Sequence, residues 1–198
     1  MKKKIESYYD KTKHFPSTGS LYKAIMISNK YEKRALDLGS GAFRDTRLLI
    51  NSGFIVDAVD FNPDVRNFSK WSDYFPKEVF NLFIEDISDF DFKKNYYDII
   101  NAQNVFTFIP KDKTKQIFTK IKKSLKKNGS FTGNFIGEKD WSLKTDWKKK
   151  PIYYTKKEID NLLGGFEILN INESKGKQLD LDGITRYMHV FEFIACKP

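Results

Sequence analysis

The stretch Ala35-Leu-Asp-Leu-Gly-Ser-Gly-Ala-Phe-Arg-Asp45 decides how the rest of this chain reads. Ala35 to Leu38 has the apolar character of a buried strand end, Gly39-Ser-Gly41 reads as a turn, and Phe43 to Asn51 as a helix. Leu48, Leu49 and Ile50 give that helix its apolar surface, and Ser52-Gly53 stops it. Working outward, Phe54 to Val59 is a second strand rich in β-branched residues. Pro63 suits the first turn of a helix running to about Tyr74. Val79 to Ile84 and Tyr97 to Ala102 read as the third and fourth strands. In Lys111 to Lys127, Ile117, Phe118, Ile121 and Leu125 form one apolar stripe among lysines, which predicts a helix closed by Asn128-Gly129. Ser130 to Ile136 is a fifth strand, and Thr155 to Leu163 a helix whose Thr155 and Glu158 have capping-box spacing. Phe166 to Asn172 and Tyr187 to Ala195 close the chain as a hairpin. Strands alternating with helices predict an α/β fold: a doubly wound parallel sheet with helices on both faces.

Composition narrows the functional classes. At 198 residues the chain fits one domain, residues 1–198, and buries enough surface (roughly 70% of its unfolded area) to need no staples. A single cysteine, Cys196, excludes an internal disulfide framework and a cysteine-based zinc cluster. With only His14 and His189, no multi-histidine metal site is expected. No stretch approaches the ~20 apolar residues of a membrane span, and no apolar region follows the basic start, so a cytoplasmic protein is expected. The net charge of +9 comes almost wholly from lysine, with Arg34, Arg44, Arg47, Arg66 and Arg186 the only arginines. Phosphate and base recognition favours the planar arginine fork, so nucleic acid is permitted as a partner but not favoured.

Ligands of open parallel sheets bind beyond the carboxyl ends of the strands. Here every strand exit carries polar or acidic residues: Asp37-Leu-Gly-Ser-Gly41, Asp60-Phe-Asn62, Glu85-Asp-Ile87 and Asn101-Ala-Gln-Asn104. The glycine pair lets a ligand approach the backbone closely. A nicotinamide loop would have glycine where Arg44 stands. Asp37 opposes a pyrophosphate but suits an ammonium group. Asp60, 21 residues after Gly39, stands where an acid takes both ribose hydroxyls.

Leu36-Asp-Leu-Gly-Ser-Gly41, Val59-Asp-Phe-Asn62, Ile84-Glu-Asp-Ile87 and Tyr97-Asp-Ile-Ile-Asn-Ala-Gln103 resemble the successive motifs of class I S-adenosylmethionine-dependent methyltransferases. The resemblance implies a seven-stranded Rossmann-like sheet in the order 3-2-1-4-5-7-6 with strand 7 antiparallel. It implies S-adenosylmethionine as cofactor, with Asp37 and the backbone at Gly39, Ser40 and Gly41 holding the methionine end. Asp60 would bind the ribose, Phe61 flank the adenine, Asp86 accept from its amino group, and the Ile87 amide meet a ring nitrogen. Gln103 would lie beside the methionine moiety. Gly41-Ala-Phe-Arg-Asp45 is similar to the Gly-x-Gly-Arg-Asp pattern of small-molecule and tellurite-resistance-type members, which adds Arg44 to the cofactor residues. Phe43 replaces the third glycine of the fuller loop, and is expected to narrow the cofactor entrance.

A sulfonium-activated methyl group needs mainly an aligned nucleophile, so the acceptor leaves a weaker signature than the cofactor. Cys196 is too far along the chain to serve a cysteine-nucleophile route, and Asn101-Ala-Gln-Asn104 is not the Asn-Pro-Pro-Tyr loop of base-amino methylation. A small-molecule acceptor is therefore expected. The alternatives are an RNA or protein methyltransferase using the lysines of 111–127 and 144–150, or a non-catalytic cofactor-binding protein. Residues 1–32, with Tyr8, Tyr9, His14 and Phe15, are expected to form a lid, and residues 138–154 an insertion after strand 5. The acceptor residues are placed at Tyr8, Tyr9, Asp140, Trp141, Glu173 and Arg186, with His189 as the base candidate. A monomer or homodimer is expected.

Overall fold

The computed structural model describes residues 8–28, 33–144 and 151–198. Seven strands, β1 (Arg34–Leu38), β2 (Ile55–Asp60), β3 (Phe80–Ile84), β4 (Tyr97–Ala102), β5 (Leu125–Ile136), β6 (Glu167–Leu179) and β7 (Thr185–Cys196), build one sheet. Their order is β3-β2-β1-β4-β5-β7-β6, with the first five parallel and β7 antiparallel to both neighbours. The helices are α1 (Gly19–Ile27), α2 (Arg44–Asn51), α3 (Lys111–Ser124) and α4 (Lys156–Leu162). Among the described residues no helix is long and apolar enough to cross a membrane.

Strand alternation sorts the core into two layers. On one face Ala35, Val56, Ile99 and Ile194 pack against Leu21 and Ala24 of α1 and Leu49 and Ile50 of α2. On the other, Leu36, Ile100, Phe131, Phe135 and Phe193 meet Ile117, Phe118 and Ile121 of α3 and Ile159 of α4. Burying each α3 side chain is worth about 1.5–3 kcal/mol, which is why α3 forms despite its lysines. Thr155 and Glu158 close the expected capping box on α4.

Three points differ from the sequence reading, each for a local reason. The helix from Lys111 stops at Ser124, because buried Leu125 turns extended and pairs with Tyr97 to open β5. Asn128 takes a left-handed φ of 61° inside β5 and donates its amide to Lys197 O at 2.8 Å, so the Asn-Gly pair bends a strand rather than capping a helix. Residues Pro63–Tyr74 are helical over the expected span, wound as a 3-10 helix. The closing hairpin is longer than expected: β6 reaches Leu179 and β7 starts at Thr185, so the pair projects beyond β5 as a two-stranded ribbon.

Candidate cofactor and active site

The turn after β1 needs its glycines. Gly39 and Gly41 have φ of 69° and 52°, and a Cβ on Gly39 would lie 2.6 Å from a Val105 methyl carbon. Asp60, at the end of β2, fixes this turn from the side. Its two carboxylate oxygens accept from the Gly41 and Asn62 amides, each at 2.9 Å. Burial pushes the Asp60 carboxyl up, and these two amides hold it back down. The Tyr9 side chain also bonds to Asp60, and the Asn62 amide group reaches the Tyr9 hydroxyl at 3.4 Å. One carboxylate thus joins the glycine turn, the start of the 3-10 helix and the N-terminal segment.

Phe43 adopts a left-handed φ of 60°, an uncommon conformation for a bulky residue. Its ring is buried against Trp71 and Phe80, and it does not line the cavity below. The expected narrowing of the entrance by Phe43 is therefore corrected: aromatic packing turns the side chain inward and holds the strained backbone.

Above the strand exits lies a cavity lined by Tyr8 and Thr12 over Asp37, Gly39, Ser40, Gly41, Arg44, Asn101 and Gln103, among others. Inside it Asp37 accepts from Thr46 Oγ1 at 2.5 Å and from Asn101 Nδ2 at 2.8 Å. Burial, reinforced by nearby Asp45, pushes the Asp37 carboxyl up to about 7. Arg44 clasps Asp45 with two hydrogen bonds of 2.8 Å. Gln103 Nε2 lies 3.3 Å from Asn101 Oδ1 and 3.4 Å from Ser20 Oγ, so the polar chain runs from α2 through the sheet to α1. Two atoms in this wall, Ser40 Oγ and Gln103 Oε1, are buried with no hydrogen-bond partner among the described residues. An unsatisfied buried polar atom costs about 1–3 kcal/mol, so the cavity is built for a ligand with both donors and acceptors.

Six expected cofactor residues, Asp37, Gly39, Ser40, Gly41, Arg44 and Gln103, meet at this cavity. The others stand at the neighbouring strand exits: Asp60 behind the turn, and Phe61, 68% exposed, beside it. Asp86 lies on the surface after β3, its carboxyl lowered by the Ser88 amide, with Ile87 buried next to it. Sequence reading did not single out Thr12, Thr46, Asp45 and Asn101 as site residues. Their one signal was polarity at positions whose strand or helix periodicity points into the core.

The expected acceptor residues divide. Tyr8 lines the cavity, but Tyr9 is buried against Phe68 and anchors the segment instead of facing the opening. Asp140, Glu173 and His189 do come together. The Asp140 carboxylate accepts the His189 amide at 2.9 Å, and His189 Nε2 lies 2.9 Å from Glu173 Oε1. His189 Nδ1 accepts the Lys139 amide at 3.1 Å, which leaves Nε2–H as the donor to Glu173. This cluster borders a second cavity with Tyr154, Lys156 and Phe191. His189 is 2% exposed and shares its strand face with Phe191 and Phe193, the α3 side of the sheet. Asp37, Asn101 and Gln103 lie on the α1 side. Arg186 stands elsewhere, stacked 4.2 Å above the Trp141 ring.

The model of the methyltransferase domain family matches residues 36–132, just under half of the chain, the span that holds the glycine turn and the exits of β1 and β4. The chain carries a methyltransferase domain. Among solved structures this methyltransferase is similar to TehB from Haemophilus influenzae, with a TM-score of 0.75 at 20% identity over 98% of this chain and 67% of that one. An S-adenosylmethionine-dependent methyltransferase from Methanosarcina mazei gives 0.71 at 17% identity, over 92% and 99% of the two chains. The N-methyltransferase NodS from Bradyrhizobium japonicum, solved with S-adenosylhomocysteine, gives 0.65 at 13% over 84% and 78%. None of the curated proteins matches this sequence.

Proposed function

We propose that this methyltransferase acts on a small-molecule acceptor, with residues 8–12 as a lid over one catalytic domain. The observation that carries this reading is the roof formed by Tyr8 and Thr12 over the Asp37–Gln103 cavity. The space beneath is about 50 Å³, far below the ~300–1,000 Å³ of a small-molecule site. The lid must therefore lift for entry and close again behind the ligand. A small acceptor fits under such a roof and a folded macromolecule does not.

The cofactor supplies a methyl group already activated by its sulfonium centre. The protein's own residues bind and align. Gly39 and Gly41 let ligand atoms reach the backbone, while ionised Asp37 and Gln103 Oε1 offer acceptors to an ammonium group. Ser40 Oγ and Arg44 serve the carboxylate beside it. With the Gly41, Asn62 and Tyr9 bonds made, Asp60 has one acceptor position left for a ribose hydroxyl, and Phe61, Asp86 and Ile87 form the adenine shelf. Closure of residues 8–12 excludes water and fixes the angle of approach. No proton transfer is assigned to His189, because both ring nitrogens are engaged and it faces the α3 side.

The test is mass spectrometry of the co-purified ligand followed by an acceptor screen read by S-adenosylhomocysteine release. Turnover of a small acceptor is expected. Turnover confined to RNA or protein acceptors would overturn the reading.

A further inference from the structure

Beyond the cofactor, we propose that Arg186 is the acceptor-binding residue and that the acceptor carries a carboxylate on an apolar body. This rests on the small-molecule reading above. Strand register supplies the first link. β5 and β7 pair as Thr132↔Ile194, Asn134↔Glu192 and Ile136↔Val190, and β7 continues along β6 through Gly176↔Met188 and Gln178↔Arg186. Alternate residues share a face, so Glu192, Val190, Met188 and Arg186 form one row. Glu192 accepts the Ser20 amide of α1 at 2.8 Å, which fixes that row on the α1 side, the side of Asp37, Asn101 and Gln103.

The ribbon tip supplies the second link. Asp182 pairs with Lys11 of the segment that roofs the cavity. The row leading to Arg186 is therefore bounded by the β5 exit at one end and by the lid at the other. Ile136, Val190 and Met188 along it are half-buried, an apolar strip left between the two.

Arg186 is held for recognition. Its guanidinium stacks on Trp141 and its Nε donates to Asp180 Oδ2 at 3.2 Å. Asp180 is already shared, since its other oxygen accepts the Asp182 and Ile184 amides at 2.9 Å each. Nη1 and Nη2 of Arg186 have no hydrogen-bond partner among the described residues. A fixed fork with two free donors matches one planar carboxylate. The neighbouring cation, Lys11, is occupied by Asp182, so a doubly charged phosphate would be left half-compensated.

The experiment titrates phenylacetate against phenylacetamide, and salicylate against salicylamide, by ligand-detected NMR with and without S-adenosylhomocysteine. Each carboxylate is expected to bind about tenfold tighter than its amide, the size of one charge-assisted contact. Arg186→Gln should erase that preference while Arg186→Lys keeps part of it, and S-adenosylhomocysteine affinity should stay constant in both. Met188→Asp, on the same row, should repel the carboxylates by itself and covers the case of an unfolded Arg186 variant. Equal binding of acid and amide by the wild type, binding of neither, or a preference that survives Arg186→Gln would overturn the proposal. Failure of S-adenosylhomocysteine to bind the wild type would instead strike the small-molecule methyltransferase reading, and the carboxylate preference would still be read from the ligand-free titrations.

Discussion

Asp37 carries the sharpest residue-level expectation. Its carboxyl is raised from 3.8 to about 7, so the fold prefers the neutral form. That preference stabilises the ligand-free protein fully below 3.8 and is lost as pH rises to about 7. An ammonium ligand needs the ionised form, so S-adenosylhomocysteine affinity should rise with pH and level off above about 7. Below that point it should fall by up to about tenfold per unit, and calorimetry from pH 5 to 9 reads both limbs. Asp37→Asn should bind more weakly at pH 8 and flatten the profile. A second expectation concerns the ring of His189, which lies against Gly137 so closely that a Cβ there would sit 2.3 Å from Nδ1. Gly137→Ala should cost about 1–3 kcal/mol in denaturant melts, and much less in a His189→Ala background. Equal costs in both backgrounds would show that the ring is not the obstacle. Spacing from the glycine turn marked Asp37 and Asp60 in the sequence, and the family resemblance marked Asp86. The side chosen by His189 was not legible there, since a one-residue change of register reverses every side chain of a strand.

At the scale of elements, the N-terminal segment expected as a lid is tied down by one residue. Tyr9 holds its segment down on Asp60 and Phe68, and burial beside that carboxylate pushes the Tyr9 hydroxyl up to about 12. Removing residues 1–17 should therefore speed S-adenosylhomocysteine dissociation by about tenfold or more, as stopped-flow displacement would register, because one charge-assisted anchor and the roof leave together. An unchanged off-rate would reduce the segment to packing. Residues 1–7 of the expected lid, residues 29–32 and the lysine-rich 145–150 lie outside the described residues. Strand and helix identities were readable wherever apolar periodicity ran unbroken, as in α3 and β2. Ends were readable only where local chemistry sets them, as at Thr155. The end of α3 depends on Leu125 pairing with Tyr97, a contact between residues 28 positions apart that no local pattern announces.

For the whole molecule, the strand order followed from the family resemblance, and the charge of +9 remains to be placed. α3 bears much of the lysine, yet it covers the face opposite the cofactor cavity. Lys111 pairs with Glu158, and Lys120 bonds Ser88 O. RNA lying along α3 would not deliver a base to the Asp37–Gln103 cavity. Fluorescence anisotropy with a short RNA should accordingly show weak binding at ~0.15 M salt and a shallow dependence on salt. A slope equivalent to about six or more released counterions would revive the RNA reading.

The antiparallel run of β7 has a practical consequence. Its last residue, Cys196, pairs with Ser130 midway along β5 and with Glu167, the first residue of β6, and it is the only thiol in the chain. Six residues of strand, about 20 Å, separate it from Val190 at the cavity end of the sheet. A dye coupled there labels one place without mutagenesis and stays clear of any ligand. Its emission would report on the pairing of β7 with β5 and β6 while cofactor titrations proceed at the other end of the strands.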